Sequence, residues 1–325
     1  MRRFLFYLKF FLKGGYCNDW QKLKWAKTSW IGKSVTIFFE KPSSGDQSIE
    51  LGEGVRIGHF SDLTVGSNHR LRIKDYTTIN THCKIIGDVT IERYCLLSSN
   101  ILISSGAHYA TRYPHMLIRR QDEKVLSDEV GRREHSKPVH IEEDVWIGVG
   151  VYIKQGITIG RGSVIGANSV VLKDIPPYEI HGGNPARKLK DRLDFRPKNH
   201  LRADSEEDRP YFYRGFDHYY TGNTKELGLP SYGQSSIAIP FFSNETIILK
   251  GIRTSDKPIL LKVSVDNFPA GEHSISENMF ELKVQITAAQ FLKRKADNYS
   301  FLNFEAPNSA GSVFSIISVD IINSL

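Results

Sequence analysis

The sequence predicts an all-β chain: a parallel β-helix interrupted by one protruding loop, followed by a small C-terminal domain of β-sandwich type. Three observations carry this. Ile147, Ile153, Ile159, Ile165 and Val171 stand six apart, with Gly148, Gly160 and Gly166 directly behind three of them. Two positions before each rung sits another small or aliphatic residue: Val145, Val151, Ile157, Ser163 and Ser169. Last, the chain from about residue 235 abandons this beat for short apolar or alternating runs broken by turn residues, such as SIAIPFF, PILLKVSV and SVFSIISVDII.

A helix requires apolar spacings of three and four, and a lone strand requires alternation over a short run. Neither gives a strict six. A unit this short belongs to a solenoid, in which each coil buries its inward residues against the coils above and below. The pair at i−2 and i points inward from a short strand, and the residues after it turn a corner. The same beat runs through Leu51, Ile57 and Leu63. After a slip it resumes at Ile73, Ile79, Ile85, Ile91, Leu97 and Ile103, and it returns at Val139 and Ile141. Residues 104–138 are polar, charged and aperiodic, which reads as a long loop thrown out of one coil. Such loops are usually functional.

The flanks follow. MRRFLFYLKFFLKGGY is too short for a membrane span, and Lys9 interrupts its apolar run. Residues 1–30 read either as a cap on the first coil or as an interfacial anchor, with Arg2, Arg3, Lys9 and Lys13 toward lipid phosphates at the inner membrane. The Pro176-Pro177 pair closes the ladder, and Ala186–Leu193 has the composition of a capping helix. That bounds the β-helix at 31–193. Residues 194–230 read as a connector, and 231–325 as the C-terminal β domain.

The 325 residues carry a formal charge of +7, too modest and dispersed for nucleic acid but compatible with an anionic ligand. Cys17, Cys83 and Cys95 are few, odd in number and without metal spacing, so they read as reduced thiols of a cytoplasmic protein, the last two within the ladder.

The chain leaves the ladder through ISSGAHYATRYPH and returns through KPVHIEEDVWIGVGVYI. Together with IGANSVVLKDIPPYEIHGGNPAR, these passages resemble the left-handed β-helix acyltransferases, the hexapeptide-repeat family of sugar, capsule and O-antigen O-acetyltransferases. The likeness spans roughly residues 30–193; the C-terminal β region is outside the common pattern. It implies a homotrimer with its active site between neighbouring subunits, acetyl-CoA as co-substrate and no metal.

By motif, His108 matches the family's catalytic base. An imidazole can take the proton of a sugar hydroxyl as it attacks a thioester and later return it to the thiolate. His115, His135 and His140 are the other histidines of the loop and its return. Gly148 and Val149 match the corner whose backbone contacts the thioester, where amides could stabilise an oxyanion. Trp146 matches a tryptophan that walls the acceptor pocket or packs outward on a neighbouring subunit. Asn80 matches an acceptor-binding asparagine, or is a corner residue in left-handed geometry. Ala167 falls where the family passes the pantetheine arm. Lys173 and Arg187 match residues that face the CoA phosphates, or are solvated basic residues.

The expected activity is O-acetyl transfer to a hydroxyl of a bacterial surface saccharide or its precursor. N-acetylation of an amino sugar and a non-catalytic trimeric carbohydrate-binding scaffold are the alternatives. Zinc-dependent carbonic anhydrases share the helix but require three metal-ligating histidines, which the sequence does not supply in a recognisable set. The C-terminal module is expected to hold a saccharide or to pack the trimer. Tyr211, Tyr213, Tyr219, Tyr220 and Tyr232 offer either sugar-stacking faces or packing between modules.

Overall fold

A computed structural model describes residues 8–40, 46–127, 131, 135–218, 222–240, 245–266, 268–286, 299–307 and 313–323, except for the side chains of Tyr232 and Asn323. It divides into two compact units, Met1–Asp194 and Phe195–Leu325.

The first unit is a parallel β-helix with three faces. One face stacks seven short strands, from Tyr16–Cys17 to Val170–Val171; the second stacks six, from Leu23–Trp25 to Thr158–Ile159. The third stacks eight and ends in Glu179–Gly182 and Arg187–Asp191. Register is kept rung on rung: Ile147 lies over Leu97 and under Ile165, and Ile153 over Ile103 and under Val171. The hexad therefore stacks like on like. Ile57, Ile79, Ile85, Ile103, Ile141, Ile147 and Ile153 are fully buried in one continuous core. Truncating one to alanine would cost about 2–5 kcal/mol, because coils fixed on both sides cannot collapse into the void.

Ser163 and Ser169 occupy inward positions and are also fully buried. Their hydroxyls donate to the carbonyls of Pro176 at 2.7 Å and Gly166 at 2.6 Å, which offsets the cost of burying them. Cys83 and Cys95 are core residues whose thiols are pushed up by burial.

The structure corrects several boundaries. The strands Tyr16–Cys17, Leu23–Trp25 and Trp30–Ile31 already form a coil, so the solenoid begins upstream of residue 31. Residues 8–12 are helical, and Phe10 is buried in the core with its ring 5.3 Å from that of Trp20. Leu8, Phe11 and Leu12 stay exposed, while Arg2 and Arg3 lie outside the described residues. The slip between Leu63 and Ile73 is a pair of longer strands, Asp62–Val65 and Arg70–Ile73, joined by residues 66–69.

Nor does the Pro176-Pro177 pair stop the ladder. Ile175 bridges to Ile159, and Glu179–Gly182 pairs in parallel with Val164–Ile165. The prolines sit between these two pairings, where neither has to donate an N–H to the stack. The expected helix over Ala186–Leu193 is instead the strand Arg187–Asp191, folded back antiparallel on Glu179–Gly182. All of its side chains are exposed, so no apolar helix face was needed there.

The second unit is a nine-stranded antiparallel sheet. Its two end strands, Phe268–Ile275 and Met279–Ile286, are joined by residues 276–278 alone, so the sheet must roll back on itself. Residues 195–230, expected as a connector, belong to this unit. His200–Arg202 pairs with Phe314–Asn323, and Phe212 and Phe216 are fully buried in its core. Tyr211 and Tyr213 are only 5% and 6% exposed, which removes them as sugar-stacking faces and makes them packing residues within the unit. Tyr219, Tyr220 and the Tyr232 side chain lie outside the described residues.

Candidate active site

The loop leaves the ladder after the strand Leu102–Ser104 and rejoins it at Val139–Ile141. Its base is pinned by Ser105, which is buried; its Oγ accepts from the amide of Asp88 on the preceding coil at 2.8 Å and lies 2.7 Å from Ser136 Oγ. Gly87 is left-handed at φ 94°, and any Cβ there would run into Ser105 Oγ, so glycine is required beneath the clamp. The amide of Lys137 closes the base by donating to Ser105 O at 2.8 Å.

The loop is not irregular throughout. It contains a helix, α1 (Ile118–Leu126), whose buried face carries Gln121 and Val125. Gln121 donates to Met116 O at 3.0 Å and accepts from the Tyr113 amide at 3.0 Å, tying the preceding segment to α1. Asp122, next along, holds His108. Its Oδ2 lies 2.7 Å from His108 Nδ1, and its Oδ1 accepts from the Tyr109 amide at 2.8 Å.

Both carboxylate oxygens are thus engaged on adjacent residues, which fixes the ring's position. The Tyr109 hydrogen bond, aided by that of His108, holds the Asp122 carboxyl below the usual carboxylate range despite desolvation. In the neutral imidazole, a carboxylate at Nδ1 favours the proton on that nitrogen and leaves the Nε2 lone pair free. The His108 side chain is 82% exposed against 16% for Asp122, so Nε2 is presented to the outside from a half-buried anchor.

His135 stands behind this pair, its ring 5.8 Å from that of Tyr109. Burial pushes its pKa down, with the charge of Asp122 opposing and that of His108 adding to the shift. His115 is exposed in the loop, whereas His140 is on the second face, 3.9 Å from Glu92.

The remaining predicted residues fall on other parts of the prism. Asn80, Gly148, Val149 and Ala167 line a single edge, the corner between the third and first faces; Val149 and Ala167 are on successive coils, and Asn80 is two coils before Gly148. The amide of Gly148 is taken up by Ile165 O at 2.8 Å, so it has no donor to give a ligand. Its lack of a side chain is what matters: a Cβ would lie 2.7 Å from the Ala167 nitrogen. The amides of Val149 and Ala167 have no partner among the described residues.

Asn80 is not the left-handed residue of its corner; His82 is, at φ 58°. Asn80 Oδ1 accepts from the Thr81 amide at 2.9 Å, which turns Nδ2 outward. Arg187 is exposed opposite Gly182, at the end of the same edge. Trp146 points outward from the third face, 53% exposed, in the row of Leu96 and Val164. Lys173 is exposed on the corner between the first and second faces, the one from which the His108 loop springs.

The site is therefore in two halves. His108, Asp122 and Lys173 belong to one edge; Asn80, Val149, Ala167 and Arg187 belong to another. The first face separates them by roughly 15 Å at the loop base. Among the described residues no group of three or more His, Cys, Asp or Glu side chains is placed to hold a metal ion.

Residues 138–173 match the family described as bacterial transferase hexapeptide (six repeats). A probable macrolide acetyltransferase of Lysinibacillus sphaericus is 36% identical over 126 residues, which cover 37% of this chain and 69% of that protein. The chain belongs to the hexapeptide-repeat transferases. As a hexapeptide-repeat transferase it is an acetyltransferase.

Among solved structures, the chain is similar to a variant of the N-acyltransferase AntD from Bacillus cereus in complex with dTDP-4-amino-4,6-dideoxyglucose and coenzyme A. The two share 20% identity over 53% of this chain and 84% of that one, at a TM-score of 0.40. It is also similar to the acetyltransferase VCA0836 of Vibrio cholerae, at 28% identity over 51% and 72%, TM-score 0.31. A maltose O-acetyltransferase of Clostridium difficile 630 matches at 24% identity over 58% and 86%, TM-score 0.34.

Proposed function

We propose that this hexapeptide-repeat acetyltransferase is an O-acetyltransferase acting on a hydroxyl of a bacterial surface saccharide or its precursor, with His108 as general base. The observation that carries the reading is the anchored imidazole. A sugar hydroxyl is a poor nucleophile, so its acetylation depends on a base held at the point of attack. Asp122 supplies that hold at Nδ1 and leaves Nε2 to act.

His108 Nε2 takes the hydroxyl proton as the oxygen attacks the thioester carbonyl carbon. The C–S bond then breaks, and His108 returns the proton to the leaving sulfur, yielding the ester and free CoA. The unpartnered amides of Val149 and Ala167 are the donors for the developing oxyanion. Arg187 and Lys173 take the CoA phosphates, one from each edge. Near Asn80 on the same edge, the exposed Phe60 ring stacks on His82 at 5.0 Å, a flat apolar face beside the Asn80 amide of the kind a pyranose ring covers.

Because base and thioester corner lie on different edges, the complete site is formed between two copies, the base of one meeting the corner of the next. A homotrimer closes this arrangement. Acetyl-CoA is a cytoplasmic metabolite, and cytoplasmic residence follows from it. Among the described residues no helix is long and apolar enough to cross a membrane, and the exposed Leu8, Phe11 and Leu12 beside Lys9 leave room for peripheral contact with the inner membrane.

The test is thiol release from acetyl-CoA with a panel of neutral saccharides and amino sugars, followed by analysis of the product linkage. Release with neutral sugars and a hydroxylamine-labile ester is expected. An amide product, or no release with any sugar, overturns the reading.

A further inference from the structure

The outward face of the second unit carries a feature with no part in acetyl transfer. Strands Leu229–Pro240, Tyr299–Glu305 and Ile259–Val265 lie side by side, flanked by Arg214–Phe216 and Phe268–Ile275. Alternation turns Ile237, Leu302, Phe304 and Val263 into the core. The residues between them point the other way, and cross-strand register sets them in two rows. Gln234, Glu305, Lys262 and Glu272 face one another in succession. Beside them run Arg214, Ser236, Asn303 and Ser264.

These rows line a cleft of about 610 Å³, within the roughly 300–1,000 Å³ of small-ligand sites. Four inter-strand steps give it a length of about 19 Å. Every side chain in both rows carries hydrogen-bonding groups, most of them planar amides, carboxylates or a guanidinium. The aromatic cover made by Phe195, Tyr213 and Phe301 lies over the neighbouring part of the sheet, with ring centroids 4.7 Å apart for Tyr213 and Phe301. Ser236 Oγ donates to Asn303 Oδ1 at 2.7 Å, and Asn303 Nδ2 to Asp266 O at 2.7 Å, so the floor is already ordered. The side chains of Gln234 and Glu305 have no partner among the described residues.

Charge decides the ligand class. Arg214 and Lys262 stand against Asp266, Glu272 and Glu305. A lining this close to balance offers neither polyanions nor cations a strong attractive field, while planar polar groups pair well with vicinal hydroxyls. We propose that this cleft of the second unit binds a neutral oligosaccharide stretch of the acceptor polymer. The proposal deepens the saccharide reading above and rests on it for the identity of the polymer.

The experiment is affinity gel electrophoresis of the full chain through dextran, mannan and galactan, with heparin as the anionic control and no acetyl-CoA present. Retardation by at least one neutral polymer is expected, with an apparent Kd weakened about tenfold in the exposed double variant Gln234→Ala/Glu305→Ala. Lys262→Ala, which acts from another strand, should weaken it as well. No retardation by any neutral polymer, equal retardation of all variants, or retardation by heparin alone overturns the proposal. Because binding is read without transfer, failure of the cleft leaves thiol release with short sugars intact, and loss of thiol release leaves the binding result standing.

Discussion

His108 Nδ1 and Asp122 Oδ2 lie 2.7 Å apart, a contact between the loop's exit and its only described α-helix. Asp122→Asn keeps the size of the side chain but offers one oxygen to two donors, the Tyr109 amide and the imidazole. We expect kcat to fall about 10-fold or more, with the Michaelis constant for acetyl-CoA unchanged. His108→Ala should cost about 100-fold or more. Steady-state kinetics on a saccharide acceptor decides both, and wild-type turnover in the alanine variant would remove His108 from the mechanism.

A shared site can be tested by complementation. Chains carrying His108→Ala and chains carrying Val149→Asp are each expected to be nearly inactive alone. After unfolding and refolding together in equal amounts, about a quarter of interfaces in a random trimer join an intact base to an intact corner. Activity should recover to that level. Light scattering should report three chains; a fully active monomer rules the arrangement out.

Arg187→Ala and Lys173→Ala should each raise the Michaelis constant for acetyl-CoA, by about fivefold, with little change at saturation. Dephospho-CoA substrates identify which of them meets the 3′-phosphate. Unchanged constants in both variants would place the phosphates elsewhere.

Burial lowers the pKa of His135, and the sign of its effect follows. The folded chain binds fewer protons there than the unfolded chain, so its contribution to stability is present above about pH 6.5 and lost as pH falls through the lower native value. A His135→Gln variant should show a shallower loss of thermal stability on acidification over that interval. An identical pH dependence would assign the loss to other groups.

Cutting after Asp194, at the boundary between the two units, should leave acetyl-CoA binding and transfer to short acceptors in place. Isothermal titration with CoA reads the first and thiol release the second. Loss of CoA binding would make the second unit structural.

The ladder was legible because stacking demands the same residue type at the same position in every coil, so Ile147, Ile153 and Ile159 announce themselves without any knowledge of the rest. His108 drew its expected role from its motif alone. Its contact with Asp122 was not legible, since it arises only when α1 folds back over a separation of 14 residues. Arg187–Asp191 reads as helix because Leu189 and Leu193 are four apart amid good helix formers; its pairing with Glu179–Gly182 is a tertiary fact that overrides composition. Tyr211 and Tyr213 resemble exposed stacking residues in a charged segment, yet both are enclosed by strands far along the chain, which local sequence does not record.

The strand Arg187–Asp191 bears on how the protein avoids becoming a fibre. A β-helix ends in unpaired backbone that invites another β-helix to continue the stack end to end. Here the last strand of the eight-stranded face runs antiparallel to those beneath it and presents Arg187, Lys188 and Lys190 to solvent. A second copy arriving at that edge meets reversed polarity and exposed basic side chains, which disfavours continuing that face along the solenoid axis.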